Sequence, residues 1–458
     1  MTSQSAADGE AGSASQSAPQ SASQPALVPA GYRRYALSVL LVIYTLNFLD
    51  RQVMSVLAEP IKHDLHLSDT QLGLMTGLAF AVFYTVLGIP IARYAERGNR
   101  PLIIAAATAV WSAFTVACGF ARSYVEMVAA RIGVGVGEAG CTPPAHSLIV
   151  DYTPKEKRAS ALAFYSLGTP LGGLIGMVLG GLVADAYGWR VAFMVAGAPG
   201  VVMALVAAFT LVEPRRRLKA ALEAKRAAAP SLGAALRELS TKRTFWLAAF
   251  AAAIKAFIGY GSAAFIVSFF LRNHAVQLAE MAAPFGLNPL GFIATVLGLV
   301  AGIAGALGTW LGGLLGDRFG GRDQRFNMAM PAIATLVSIP FYVFGLLTND
   351  LVVALVVLAV PPILNTLWYG PVYATVQGLV RPETRATAAA VLLFIINLIG
   401  LGLGPLGIGV ISDLMAHGFG LGVNEGLRWS LIAFYIVGAS AYVLFWAARR
   451  TIREELVS

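Results

Sequence analysis

Charge is what this sequence has least of. Only 12% of its 458 residues are Asp, Glu, Lys or Arg, about half the share found in soluble domains, and that scarcity excludes an ordinary soluble globule. Cysteine is nearly absent: Cys118 and Cys141 both fall inside apolar stretches, which excludes a disulfide scaffold and leaves no metal-ligand spacing. The five histidines form no catalytic constellation. His146 lies near a helix end without a nucleophile beside it in sequence, and His63, His66, His274 and His417 fall in loops. No phosphate-binding Walker motif occurs, so neither ATP-driven work nor any cofactor or metal is implied, and the chain does not read as an enzyme. Residues 1–30, rich in Ser, Ala, Gln and Pro, lack an apolar core and read as a disordered tail rather than a signal peptide. Long polar loops and a soluble signalling domain are also missing, which argues against a receptor or scaffold.

What the chain has instead is hydrophobic length. Hydrophobic residues make up 57%, and a helix needs about 20 of them in succession to span the hydrocarbon. Twelve runs meet that length. The first six are 35–58, 71–95, 101–121, 123–150, 156–186 and 189–212; the second six are 244–272, 291–315, 325–347, 351–378, 384–414 and 427–449. The expected fold is therefore an all-α membrane protein of two six-helix bundles, 31–212 and 244–450. A basic joint at 213–243 separates them, with a surface helix favoured between Pro214 and Pro230, and a short tail follows at 451–458.

The net charge of +9 might suggest nucleic acid in a soluble protein, but here the bases lie between apolar runs. Of 33 Lys and Arg, only Lys62, Arg122, Arg190, Arg272 and Arg428 fall on one face, and Arg51, Arg131 and Lys255 lie within helices. All the others share the face that carries both termini. The positive-inside rule makes that face cytoplasmic, as in a bacterial inner membrane.

The two bundles also repeat each other. Ala92-Arg93-Tyr94-Ala95-Glu96-Arg97-Gly98-Asn99-Arg100 is matched by Gly313-Leu314-Leu315-Gly316-Asp317-Arg318-Phe319-Gly320-Gly321-Arg322, and the Pro154 to Arg158 loop by Pro382 to Arg385. Duplicated membrane domains are mostly transporters. The acids and bases of the first pair (Glu96, Arg97, Arg100, Asp317, Arg318 and Arg322) sit at helix ends, where a carboxylate can accept from a neighbouring helix and lock one side shut.

Charges inside a membrane are costly, by at least ~2.5–3.5 kcal/mol each, and are functional candidates by default. The first run holds Asp50-Arg51 with Asn47 one turn earlier, the fourth holds Arg131 and Glu138, and the seventh holds Lys255. Counting helical rises places Asp50 at a depth between Arg131 and Glu138, so an Asp50–Arg131 pair is expected. The glycines between Arg131 and Glu138 resemble a dinucleotide loop only superficially, because no strand precedes them; helix packing explains them better. Gly168, Gly172, Gly176 and Gly180 form a stripe that requires a close partner helix and is a candidate bending point. In the second bundle Asn365, Trp368, Tyr369, Tyr373 and Asn397 suit an amphipathic ligand.

These residues together resemble the major facilitator superfamily, with Ala92 and Glu96 standing where that family usually has Gly and Asp. Within it, Asn47-Phe48-Leu49-Asp50-Arg51 and the run from Arg131 to Glu138-Ala139 are similar to the Spinster family, which is associated with proton-linked movement of lysolipids and sphingosine phosphate. The resemblance implies that Asp50 and Glu138 take up protons beside Arg131. It also implies that Arg51, with Asn47, Lys255 and the second-bundle polar residues, lies near the solute. The expected partners are a lipid-like anion, protons and membrane lipid, and the expected state is a monomer. A proton-coupled organic-anion symporter and a multidrug exporter are the competing readings.

Overall fold

In lipid every backbone polar group must be satisfied within the protein, and apolar runs do this as helices. The computed structural model describes residues 28–154, 157–214, 232–381 and 383–457, without the side chains of Glu96, Arg97, Ala159, Leu232 and Ala386. The helices of the first half are α1 (Ala30–Val56), α2 (Asp69–Ala95), α3 (Arg100–Cys118), a divided α4 (Tyr124–Glu138 and Thr142–Tyr152), α5 (Ser160–Tyr187) and α6 (Trp189–Thr210). Those of the second half are α7 (Arg243–Asn273), α8 (Pro289–Gly320), α9 (Phe326–Leu347), α10 (Leu351–Gly378), α11 (Thr387–Gly418) and α12 (Gly422–Glu455). Among the described residues eleven helices are long and apolar enough to cross a membrane; α4 is not among them.

The division of α4 corrects the continuous run expected at 123–150. Gly137 and Gly140 lie tight against Trp111 and Ala107 of α3. Pro143 and Pro144 follow at once, lack backbone donors and are suited to the first turn of a new helix. The break falls directly after Glu138.

The glycine stripe of α5 packs within its own half. Carbons added at Gly168, Gly172 and Gly176 would strike α1 at Tyr44, Thr45 and Leu49, and Gly180 lies against Val53. The stripe therefore joins α5 to α1 and does not lie at the junction between halves. At that junction α5 meets α8 through Gly181 against Ala294 and Gly298 against Met177, and α2 meets α11 through Gly77 and Gly402. Both α2 and α11 widen there into π-helical turns, Leu74–Leu78 and Ile396–Leu403, a feature frequent at functional sites.

Two segments differ from the expected linker and tail. The favoured helix between Pro214 and Pro230 lies almost wholly outside the described residues, whereas Leu232–Ser240 is helical and docks on the second half. Burial acts upward on the Glu238 carboxyl, but the Arg381 N–H, the Thr384 hydroxyl and the Arg381 guanidinium outweigh it and hold the group below its ordinary range. At the other end α12 continues through most of the expected tail, and Glu455 accepts the backbone N–H groups of Arg243 and Thr244 that open α7.

The two halves are joined on one side only. Every hydrogen bond between them among the described residues lies at the ends far from the termini: Arg272 to Glu59 and Asp69, Ser412 and Asp413 to the start of α2, and Asp185 to the start of α8. Toward the terminus side Gly88 of α2 and Gly305 and Gly313 of α8 have no neighbour within 4 Å of an added carbon. Among the described residues the halves are closed at the far side and parted at the terminus side.

Candidate functional site

Between the halves, α1 and α4 bring four charges together. Asp50, Arg131 and Glu138 are no more than 2% exposed. The pairing differs from the one expected from depth alone. Arg51, not Arg131, holds Glu138, with its Nε 2.7 Å and its Nη2 2.6 Å from Oε2. Asp50 turns the other way, toward α3, where its Oδ2 accepts from the Thr115 hydroxyl at 2.9 Å. Its second oxygen and the Nε of Arg131 have no hydrogen-bond partner. Helical geometry explains the exchange, because adjacent residues point about 100° apart and depth carries no information on direction.

Arg131 remains within electrostatic reach of both carboxylates and lies over the Phe80 ring, 5.2 Å from its centre. Asn47 is buried beside Glu138, although neither of its amide atoms reaches hydrogen-bonding geometry. Arg51 stands among three rings, Phe48, Phe80 and Tyr84, at 5.0, 4.9 and 4.6 Å. Its side chain is 12% exposed, while that of Glu138 is fully buried. The guanidinium is thus the member of the cluster that reaches the space between the halves.

The second half faces this cluster with aromatic and amide groups. Tyr260 of α7 lies within electrostatic range of Arg51, Tyr369 and Tyr373, and so bridges the two lining surfaces. Tyr369 is partly exposed, but Trp368 stacks against it, 2% exposed, in the interior of the half. Lys255 is buried too. Its ammonium donates to Asn365, whose amide donates to the Tyr342 hydroxyl at 3.0 Å. Tyr342 stacks on Tyr435, which donates to Ser262. Asn397 is half-buried in the wide turn of α11.

Among the described side chains, Arg100, Asp317, Arg318 and Arg322 of the duplicated loops are not gathered together. Arg100 is fully buried and engages Asp151 and Glu213 of its own half. Asp317, Arg318 and Arg322 are exposed, and none forms an ion pair among the described residues; the side chains of Glu96 and Arg97 lie outside those described. Sequence reasoning missed Thr115, Tyr84 and Tyr260. Thr115 had a signal, since Thr108, Ser112 and Thr115 make a polar stripe at helical spacing in an otherwise apolar helix.

An all-helical membrane bundle of two like halves, hydrogen-bonded to each other on one side only among the described residues and carrying polar and aromatic groups where they face each other, is the architecture of a membrane transporter. A sequence model of the Major Facilitator Superfamily matches residues 40–405, and the chain belongs to that family. It is 33% identical over 423 residues to an MFS-type efflux pump of Mycolicibacterium smegmatis, covering 92% of this chain and 94% of that one. A hexuronate transporter of Bacillus subtilis is 27% identical over 377 residues, covering 80% and 85%. The crystal structure of a bacterial homologue of the human lysosomal transporter Spinster, in an inward-facing and unoccupied conformation, superposes with a TM-score of 0.84. It shares 34% identity and covers 94% of this chain and all of that one.

Proposed function

We propose that this chain is a proton-coupled secondary transporter that moves an amphipathic, anionic, lipid-like solute by alternating access. In this reading both termini lie in the cytoplasm of a bacterial cell and the parted side faces inward, in keeping with the basic residues of the terminus side. The observation that carries the proposal is the buried cluster beside the cavity, in which Glu138 is paired with Arg51 while Asp50 has only a hydroxyl partner. Two acids so close to two arginines, at a surface that one conformation opens and another closes, need only differ in proton affinity between those conformations to couple proton and solute movement. Arg51 among its rings is suited to an anionic head group, with the buried Lys255 reaching it only by releasing Asn365, and the apolar surfaces between the halves to a chain.

Similarity to the efflux pump supports a second reading, outward transport, of which multidrug export is the form tested with cationic drugs. One experiment separates them: uptake into proteoliposomes under an imposed pH gradient, with lysolipids, small organic anions and cationic drugs in parallel. Asp50→Asn is expected to abolish gradient-driven transport and Glu138→Gln to impair it, with solute binding retained. Full gradient-dependent uptake by both variants would leave the cluster as static ion pairing. Transport confined to the cationic drugs would favour export.

A further inference from the structure

The closure on the far side is built from one motif used twice. Near the end of α5 the chain reads Gly181-Leu182-Val183-Ala184-Asp185, and near the end of α11 it reads Gly409-Val410-Ile411-Ser412-Asp413. In each case the acid crosses to the other half and meets the first turn of a membrane helix there. Asp413 accepts the N–H groups of Asp69 at 3.0 Å and Thr70 at 2.8 Å, at the start of α2. Asp185 accepts those of Asn288 at 2.9 Å and Gly291 at 3.3 Å, at the start of α8. The first N–H groups of a helix have no partner within it and carry the positive end of its dipole, so a carboxylate stabilises them.

The glycine four residues before each acid makes the approach possible. A carbon on Gly409 would overlap the Asp69 carbonyl, and one on Gly181 the Ala294 side chain. One half therefore caps α8 while the other caps α2, with the roles exchanged as the pseudo-symmetry of the fold requires. Beside the Asp413 cap, Arg272 of α7 holds Glu59 at 2.8 and 2.7 Å and Asp69 at 2.8 Å on two nitrogens.

We propose that Asp185 and Asp413 are the far-side gate residues of transport. Each half supplies one cap to the other, so the far side opens only when both caps, and the Arg272 clamp beside the Asp413 cap, are released. The carboxylates and the freed N–H groups then pass to water at the membrane surface. Because water takes over those hydrogen bonds, each cap is a modest and reversible restraint, as a gate that must open in every cycle requires. The inference rests on the alternating-access reading above, and it assigns to the transport reaction residues on the face opposite the duplicated Glu96 and Asp317 loops.

The test places nitroxide labels on Phe120→Cys and Phe419→Cys, exposed far-side positions in opposite halves; the native Cys118 and Cys141 are buried. Electron–electron distances are measured in otherwise native protein, in Asp185→Ala, in Asp413→Ala and in the double variant. Loss of one cap is expected to raise the population of the longer, far-side-open distance about fivefold, and loss of both about 25-fold. Asp185→Asn and Asp413→Asn keep an acceptor and should stay close to the parent distribution. If the double alanine variant does not remain monodisperse, the two single variants carry the comparison. An unchanged distribution in the alanine variants, or asparagine variants that open as far as alanine, would overturn the assignment. If the parent protein never shows a longer distance at any pH or with any solute, alternating access itself fails, and that outcome is distinct from the first.

Discussion

Asp50 and Arg51 are neighbours in sequence and serve different helices. Arg51 commits its guanidinium to Glu138, whereas Asp50 has a single hydroxyl donor, Thr115. A donor to a carboxylate favours its ionised form, and hydrogen bonds to charged groups contribute about 1.5–3 kcal/mol. Removing that donor makes the protonated form easier to keep. Thr115→Val is therefore expected to move the pH at half-maximal gradient-driven uptake upward by roughly one to two units, and Thr115→Ser should restore it. A pH profile identical to that of the parent protein would show that the Thr115 hydroxyl packs against Asp50 without setting its protonation.

At the scale of the element, the α5 stripe and Gly305 of α8 look alike in sequence and behave differently in the fold. A side chain at Gly172 would collide with the Thr45 carbonyl and the Leu49 backbone of α1, whereas Gly305 has open space within 4 Å. Backbone cannot yield as a flexible side chain does, so overpacking there costs about 1–3 kcal/mol or more. Gly172→Leu should lower the melting temperature in detergent and reduce folded yield, while Gly305→Leu should leave both near the parent values. Equal melting of the two variants would contradict the assignment of the stripe to contact within the first half. The wide turns of α2 and α11 are elements of another kind, since they lie where the halves meet and where a change of angle would have to be accommodated.

For the whole molecule, the arrangement of contacts sets which side is open. The far side carries two caps and the Arg272 clamp; the terminus side carries no cross-half hydrogen bond or ion pair among the described residues. In this conformation Asp317 is exposed, so any lock it forms belongs to the opposite state. Asp317→Asn should therefore leave the present conformation intact and weaken the alternative. Labelling of a cysteine placed at Tyr369, in the cavity, should quicken from the terminus side by roughly two- to fivefold, the effect of one charge at a helix end. Unchanged labelling would reduce the duplicated loops to topology signals.

The sequence by itself determined the number and class of helices, the duplication, and which residues are costly enough in a membrane to matter. Those properties are local or periodic: apolar length, the energy of burying a charge, and a motif that recurs. Direction was not legible in the same way. Depth along a helix placed Asp50 between Arg131 and Glu138, but only the packed bundle decided that Arg51 would take Glu138 and that Asp50 would turn to Thr115. The break in α4 was written in Pro143 and Pro144, yet hydrophobicity alone read through it. The far-side caps were out of reach for a third reason. Asp413 meets Asp69 across 344 residues of chain, and a lone acid at a helix end acquires meaning only when tertiary structure sets the start of another helix against it.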